Sequence, residues 1–417
     1  METTIALTMK EQKRVEIIQR VFRRELRMAE AALVLGVTER HAYRVKARIR
    51  KEGVRGVVHG NRGRLCSWKL SQKNETKIVE LARGKYRGFN DHHLTEKLVE
   101  EQEIEISREK VRRILRSHGI ASPRKRRPAK HRSRRQRREA EGMMLQLDGS
   151  PHDWLQGRGP SLCLIGAIDD ATSKVPAAFF EQAETSWAYL HLFSEIFSQE
   201  GLCHSAYADR HSIFWTDREP TVEEQLLGKR PKTQVGRALE ELGITLIPAG
   251  SPQAKGRIER LWGTFQDRLV SELRWVGAKS KAEAQAVLDH FLPQYNRRFS
   301  KPALVAKPAW RKVEHKQLEQ SLCFKYQRVV AKDNTVGFCG LVLALPKISP
   351  FISWAHKTVD VHVLLDGSVQ IFHRGQSIAR FNAKTLSTMG LRRNNGRWTA
   401  KSLGPQTNSP QIECAPP

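Results

Sequence analysis

Gly250-Ser251-Pro252-Gln253-Ala254-Lys255-Gly256-Arg257-Ile258-Glu259-Arg260-Leu261-Trp262 is the stretch on which the reading of this chain turns. Ile244, Leu246 and Ile247 form a short β-prone run before it, and Gly250-Ser251-Pro252 breaks that run. Ile258, Leu261, Phe265 and Leu269 then recur at helical spacing, so the stretch reads as a strand, a loop and an amphipathic helix. Glu259 falls off the apolar stripe, and Lys255, one turn earlier, shares its flank. A carboxylate near a helix start with a lysine beside it suits a metal ion next to a phosphate. A solvated helix carboxylate would look the same, so the context has to decide.

Composition narrows the context. With 417 residues the chain has room for about three domains, and 39% hydrophobic residues make it globular. A formal net charge of +28 far exceeds what solubility needs and points to a polyanionic partner, nucleic acid first. The longest apolar run, Phe338 to Leu345, ends at Pro346 and is too short to span a bilayer, so no membrane partner is expected. The N-terminus carries charges where a secretory signal would be apolar. Six cysteines without any C-x-x-C pair read as thiols of a reducing cytoplasm.

The N-terminal half reads as helical. A basic amphipathic helix over residues 10–24 turns Val15, Ile18, Val21 and Phe22 to one side. Met28 to Leu35, the Gly36-Val37 turn and a helix capped by Thr38 and running to about Arg50 outline a helix-turn-helix. Ala42, Val45 and Ile49 face inward in that second helix, which leaves Arg40, Tyr43 and Arg44 to read base edges. The outline repeats over Ser71 to Arg83, His92 to Gln102 and a helix capped by Ser107, whose outward face offers Arg108, Lys110, Arg112, Arg113 and Arg116. Zinc at His92-His93 is disfavoured because no cysteine lies near. Residues 121–139 then hold ten lysines and arginines before any acid, a basic arm suited to phosphates.

After the arm the period changes to two. Met143, Leu145 and Leu147 alternate with Met144, Gln146 and Asp148, which puts Asp148 at a strand end. Strands over Leu162 to Ile168 and Val175 to Phe180 complete a meander, with Asp169-Asp170 as turn formers. A helix over Trp187 to Gln199, a short strand over Ser205 to Ala208 leading to Asp209, and a helix over Gly236 to Leu242 follow, an α/β order. His152-Asp153-Trp154 reads as a turn packed on the core, with support of a metal ligand as the alternative. Asp148, Asp209 and Glu259 thus fall at element ends that can converge. Three acids suit hard divalent cations, Mg2+ or Mn2+, and two ions would activate the attacking oxygen and stabilise the leaving oxygen of an in-line displacement.

The order of these elements, together with "LQLDGS", "AYADRH" and "PAGSPQAKGRIERLWGTFQDRL", resembles the retroviral-integrase-type core of bacterial insertion-sequence transposases. The run "QYNRRFSKPALVAKPAW" is similar to the segment closing that core, and the resemblance spans residues 25–390. It implies an RNase H-like catalytic core in which Asp148, Asp209 and Glu259 are the catalytic, metal-holding triad, with Lys255 and Arg257 among the DNA-binding residues. It also implies a homo-oligomer acting on double-stranded DNA, at the terminal repeats of its element and at target DNA, in a cytoplasmic, nucleoid-associated setting. Fifty positions separate Asp209 from Glu259, longer than usual for such a core, and the surplus lies around Thr216 to Thr233. Asp217 in that surplus is the rival for the middle acid; Asp209 is preferred because it directly follows a strand.

The expected organisation is a helix-turn-helix domain at 1–60, a second such unit at 65–120, the basic linker at 121–139, the catalytic core at 140–312, a small all-β barrel at 325–390 and a disordered tail at 394–417. The expected activity is metal-dependent DNA cleavage and strand transfer. A non-catalytic, sequence-specific DNA-binding regulator that keeps the fold is the runner-up, and a sequence-independent nuclease comes third.

Overall fold

The computed structural model describes residues 6–62, 70–123, 135–226, 228, 230–250, 255–347, 353–388, 391–394 and 397–400. Most of the basic arm, the loop residues 251–254 and all but the start of the tail therefore lie outside the described residues. The chain divides into two compact units, Met1–Thr76 and Lys77–Pro417.

The first unit is built on helices α1 (Met9–Phe22), α2 (Met28–Leu35) and α3 (Glu39–Glu52), followed by a short 3-10 turn at Gly53–Val57. Thr8 and Glu11 form a reciprocal capping box that satisfies exposed N–H groups at the start of α1. Gly36 ends α2 at φ 64°, a left-handed conformation that glycine adopts without a Cβ clash, and Thr38 caps α3 two residues later. Ala42, Val45 and Ile49 are buried, and Arg40, Tyr43 and Arg44 are exposed. Phe22, expected inward, is instead partly exposed beneath Lys46 and Arg50, and Ile17 fills the core in its place.

The second helical repeat, α4 (Gln72–Arg83), α5 (Asp91–Gln102) and α6 (Arg108–Ser117), belongs almost wholly to the second unit. Arg116, expected outward, pairs with Asp91 at 2.6 Å and ties α6 to α5.

A five-stranded sheet of order β3-β2-β1-β4-β5 forms the centre of that unit, from β1 (Met144–His152), β2 (Leu162–Asp169), β3 (Ala178–Glu181), β4 (Ser205–Ala208) and β5 (Thr245–Pro248). β2 runs antiparallel to both of its neighbours, β1 and β3, while β4 joins β1 and β5 joins β4 in parallel, so the sheet is mixed and fits an RNase H-like core. The two-residue period of β2 divides it between two apolar clusters. Leu162, Leu164 and Ile168 face α10 (Gly256–Val276) and α11 (Lys281–Phe299), whereas Cys163, Ile165 and Ala167 face α7 (Ser186–Gln199) and α9 (Gln234–Glu241). Between β4 and α9 the long surplus carries the short helix α8 (Val222–Leu226).

Asp148 does not end its strand, as the alternation suggested. β1 continues to His152, pairing with β2 through His152↔Leu162. The parallel pairing with β4 nevertheless stops at Gln146↔Tyr207. Asp148 thus sits where β1 has lost its neighbour on one side, which gives a carboxylate in the middle of a strand an open flank.

Beyond α12 (His315–Ser321) the chain is largely β. Strands β6 (Phe324–Val329), β9 (Thr358–Val363), β10 (Val369–His373) and β11 (Gln376–Phe381) make an antiparallel sheet of order β11-β10-β9-β6, and β7 (Thr335–Phe338) with β8 (Leu341–Ala344) makes a separate hairpin. Among the described residues these strands are not hydrogen-bonded into one closed ring. Their inward residues, Val336, Phe338, Val361 and Ile371 among them, share the apolar cluster of α7 and α9.

Candidate active site

β1 and β4 run in parallel, and extending their register by two positions from Gln146↔Tyr207 brings Asp148 level with Asp209, the first residue past β4. Lys255, the N-cap residue of α10, reaches between them. Its ammonium lies 2.7 Å from Asp148 Oδ1 and 3.3 Å from Asp209 Oδ2, with the lysine side chain 8% exposed. The indole N–H of Trp262, two helical turns further along α10, donates to Asp148 Oδ2 at 3.0 Å. The helix whose apolar stripe builds the core thus also fixes both oxygens of Asp148.

Burial pushes the Asp148 carboxyl above its ordinary value; Lys255 and Trp262 oppose the shift, and the negative charge of Asp209 adds to it. Glu184, which sequence reasoning missed, belongs to the same acidic field. Its carboxylate lies against Gly149, where a Cβ would meet Glu184 Cδ at 2.7 Å, so a larger residue beside Asp148 would push the Glu184 carboxylate aside. The buried Tyr189 hydroxyl donates to Glu184 Oε1. Burial above all, then Asp148 and Asp209, drive the Glu184 carboxyl upward, while Tyr189 and His211 oppose them. The only signal in the sequence was position: Glu184 immediately precedes Thr185, the cap of α7, and reads as an ordinary loop acid.

Glu259 lies in the first turn of α10 with its side chain exposed. Among the described residues no three His, Cys, Asp or Glu side chains stand close enough to hold a metal ion together. Lys255 thus brings Asp148 and Asp209 together, and with Glu259 they do not make up such a group among the described residues. Asp217 lies exposed on the loop after β4. The pair of aspartates fits a hard divalent cation in kind, since two carboxylate oxygens already converge on one positive centre, the Lys255 ammonium.

Arg257 was expected to bind DNA, yet its side chain is 9% exposed and bound to Asp170 at 2.6 Å and to the Arg135 carbonyl at 2.9 Å. Asp170 was expected only to form a turn, yet it is fully buried and accepts from Arg135, Arg257, Gln146 Nε2 at 2.7 Å and the Arg138 N–H at 2.9 Å. Arg137 caps the carbonyls of Asp170 and Ala171. The end of the basic arm is therefore spent on the core, because a buried carboxylate needs these donors. Asp169 does act as a turn former, accepting from Thr172 and from the Gly142 N–H. Trp154 is fully buried and donates to the Ser150 carbonyl, so the turn after β1 packs on the core. Arg108 and Arg112 are exposed on α6, near His92 and Glu109 respectively.

No protein-family profile matches the chain. Over 376 residues it is 31% identical to a protein of Sinorhizobium fredii named as a transposase, y4bF, an alignment covering 90% of this chain and 81% of that one. It is 28% identical over 328 residues to the transposase for insertion sequence IS1202 of Streptococcus pneumoniae, covering 70% and 69%. Among solved structures, the catalytic core domain of BIV integrase aligns with 36% of this chain and 82% of its own at 16% identity and a TM-score of 0.26. The HTLV-2 integrase catalytic core domain in complex with magnesium aligns with 37% and 84% at 16% identity and a TM-score of 0.27.

Proposed function

The chain belongs to the insertion-sequence transposases with an integrase-type core, and from that premise we propose that it cleaves double-stranded DNA at the ends of its element and joins them to a target. The observation that carries this reading is the convergence of Asp148 and Asp209 on one cation at the open flank of β1. Asp148, Asp209 and Glu259 would hold Mg2+ or Mn2+, with Glu259 joining from the first turn of α10. Bound there, such ions supply Lewis acidity for the attacking and leaving oxygens of a phosphodiester. The chain's own residues then have separate tasks. Trp262 holds Asp148 in one rotamer. Lys255, once relieved of the two carboxylates, offers its ammonium to a DNA phosphate. Arg40, Tyr43 and Arg44 on α3, and Arg108 and Arg112 on α6, face solvent and suit DNA. On DNA the protein would act as a homo-oligomer.

Two observations favour a second reading, a DNA-binding regulator without catalysis: Lys255 neutralises the aspartates, and the three acids form no metal-holding group among the described residues. Magnesium-dependent nicking of an element-end duplex separates the two. Asp148→Asn, Asp209→Asn and Glu259→Gln are each expected to abolish nicking while a gel shift on the same duplex stays nearly unchanged. Wild-type protein that binds the ends and never nicks them would favour the regulator. Nicking lost in Asp217→Asn but kept in Asp209→Asn would reassign the middle acid.

A further inference from the structure

α10 is a single helix of 21 residues with a different partner at each end. Its first turns carry Lys255, Glu259 and Trp262, and its last turns are gripped by α5 through charge. Arg268 binds Glu96 with both terminal nitrogens, at 2.6 and 3.2 Å, and Arg298 of α11 meets the same Glu96 at 2.6 Å. Beside them, Glu272 accepts from His93 at 2.7 Å and from Lys97 at 3.1 Å. His93, Lys97, Arg268 and Glu272 are all buried.

Buried ion pairs add little net stability compared with apolar packing of the same volume, because desolvation offsets their attraction. What they do supply is a defined register. An apolar face tolerates sliding, whereas a two-pronged guanidinium–carboxylate contact holds at one distance and one angle. α5 is in turn fixed to α6 by the Arg116–Asp91 pair.

We propose that this clamp is a ruler: Glu96, Arg268, Arg298, His93, Lys97 and Glu272 set the distance between the DNA contacted by α6 and the phosphodiester cut at Asp148. They are positioning residues that choose the cleavage position. The inference rests on the transposase reading of the Asp148 site. Thirteen residues separate Glu259 from Glu272, so roughly 20 Å of helix links the clamp to the acids. A helix of that length transmits position without bending unless kinked, and α10 contains no proline.

The test uses the full chain in two variants, Glu96→Gln with Arg298→Met, which opens the more exposed half of the clamp, and Glu272→Gln, which opens the buried half. Two readouts are taken. Hydrogen exchange should quicken by roughly tenfold in α5 and the second half of α10 while β1 and β2 stay as protected as in the wild type. On end-labelled element DNA, wild type should cut one phosphodiester and the variants should spread the cuts over neighbouring ones, with end binding retained. If Glu272→Gln does not fold, the first variant carries both readouts. Unchanged exchange in α5 and α10, or a single unshifted cut in a variant whose exchange has quickened, would overturn the ruler. If wild type cuts nothing, the transposase reading fails instead, and the exchange arm alone decides whether the clamp holds α5 to α10.

Discussion

Asp148 and Asp170 lie on adjacent strands of one sheet or just past it, and each is met by a cation from the start of α10, Lys255 for the first and Arg257 for the second. Their surroundings then diverge. Asp170 is fully buried and surrounded by donors: two guanidinium groups, a side-chain amide and a backbone N–H. Asp148 keeps a fifth of its side chain exposed, receives Lys255 and Trp262 among the described residues, and has Asp209 and Glu184 as negative neighbours. A carboxylate with surplus donors is finished and can only hold the fold together. A carboxylate among other carboxylates, on an open edge, has capacity for one more cation. That contrast, more than burial or charge taken singly, underlies the roles proposed for them, Asp170 in the fold and Asp148 in the chemistry.

The largest change in stability is expected at the finished site. Asp170→Asn leaves Arg135 and Arg257 facing a neutral amide in a buried place, at a cost of roughly 3–5 kcal/mol. Chemical denaturation would read it, and a loss under 1 kcal/mol would remove the distinction drawn here. Next comes the open site's own cation. Lys255→Gln frees both aspartates, so the variant should bind Mn2+ roughly tenfold or more tightly by calorimetry and bind element ends less well in its presence. Equal affinity in variant and wild type would mean that Lys255 does not compete for the carboxylates.

Smaller effects follow away from the sheet. Arg40→Ala with Arg44→Ala should lower the preference for element ends over random DNA by roughly 1–3 kcal/mol per base contact, seen in competition gel shifts. Equal losses on both DNAs would make these arginines phosphate contacts, positioning without reading. The smallest effect belongs to Trp262→Phe, which keeps an aromatic side chain but removes the five-membered ring of the indole with its N–H to Asp148. Stability should fall by about 1 kcal/mol. Nicking should fall more than end binding, and a parallel decline of the two would make Trp262 a packing residue only.

Much of this was legible from periodicity. The 3.6-residue stripe placed Ile258, Leu261, Phe265 and Leu269 in the core, and the Gly36 and Thr38 punctuation placed α2 and α3 within a residue or two. The sheet's approach to Asp148 was legible as alternation, but not the continuation of β1 past it, because Gly149 and Pro151 are poor strand formers and it is the pairing with β2 that carries them on. Arg257 and Arg135 could not be told from DNA-binding arginines by sequence, since what uses them up is Asp170, distant along the chain and buried for reasons of tertiary packing. Glu184 was hidden for the converse reason. It acquires meaning only when the glycine of another strand lets it approach Asp148. The attachment of α5 to α10 was equally invisible, because pairs such as Glu96–Arg268 join residues more than 170 positions apart.

The contrast between the two aspartates is tested most directly by measuring magnesium-dependent nicking of element-end DNA per folded molecule, in Asp148→Asn and Asp170→Asn side by side with the wild type. Several kcal/mol of transition-state stabilisation are assigned to the Asp148 site, so its variant should lose roughly a thousandfold or more in rate at unchanged stability. The Asp170 variant, corrected for its folded fraction, should nick within a few fold of the wild type. An Asp148→Asn protein that nicks at the wild-type rate would contradict the account.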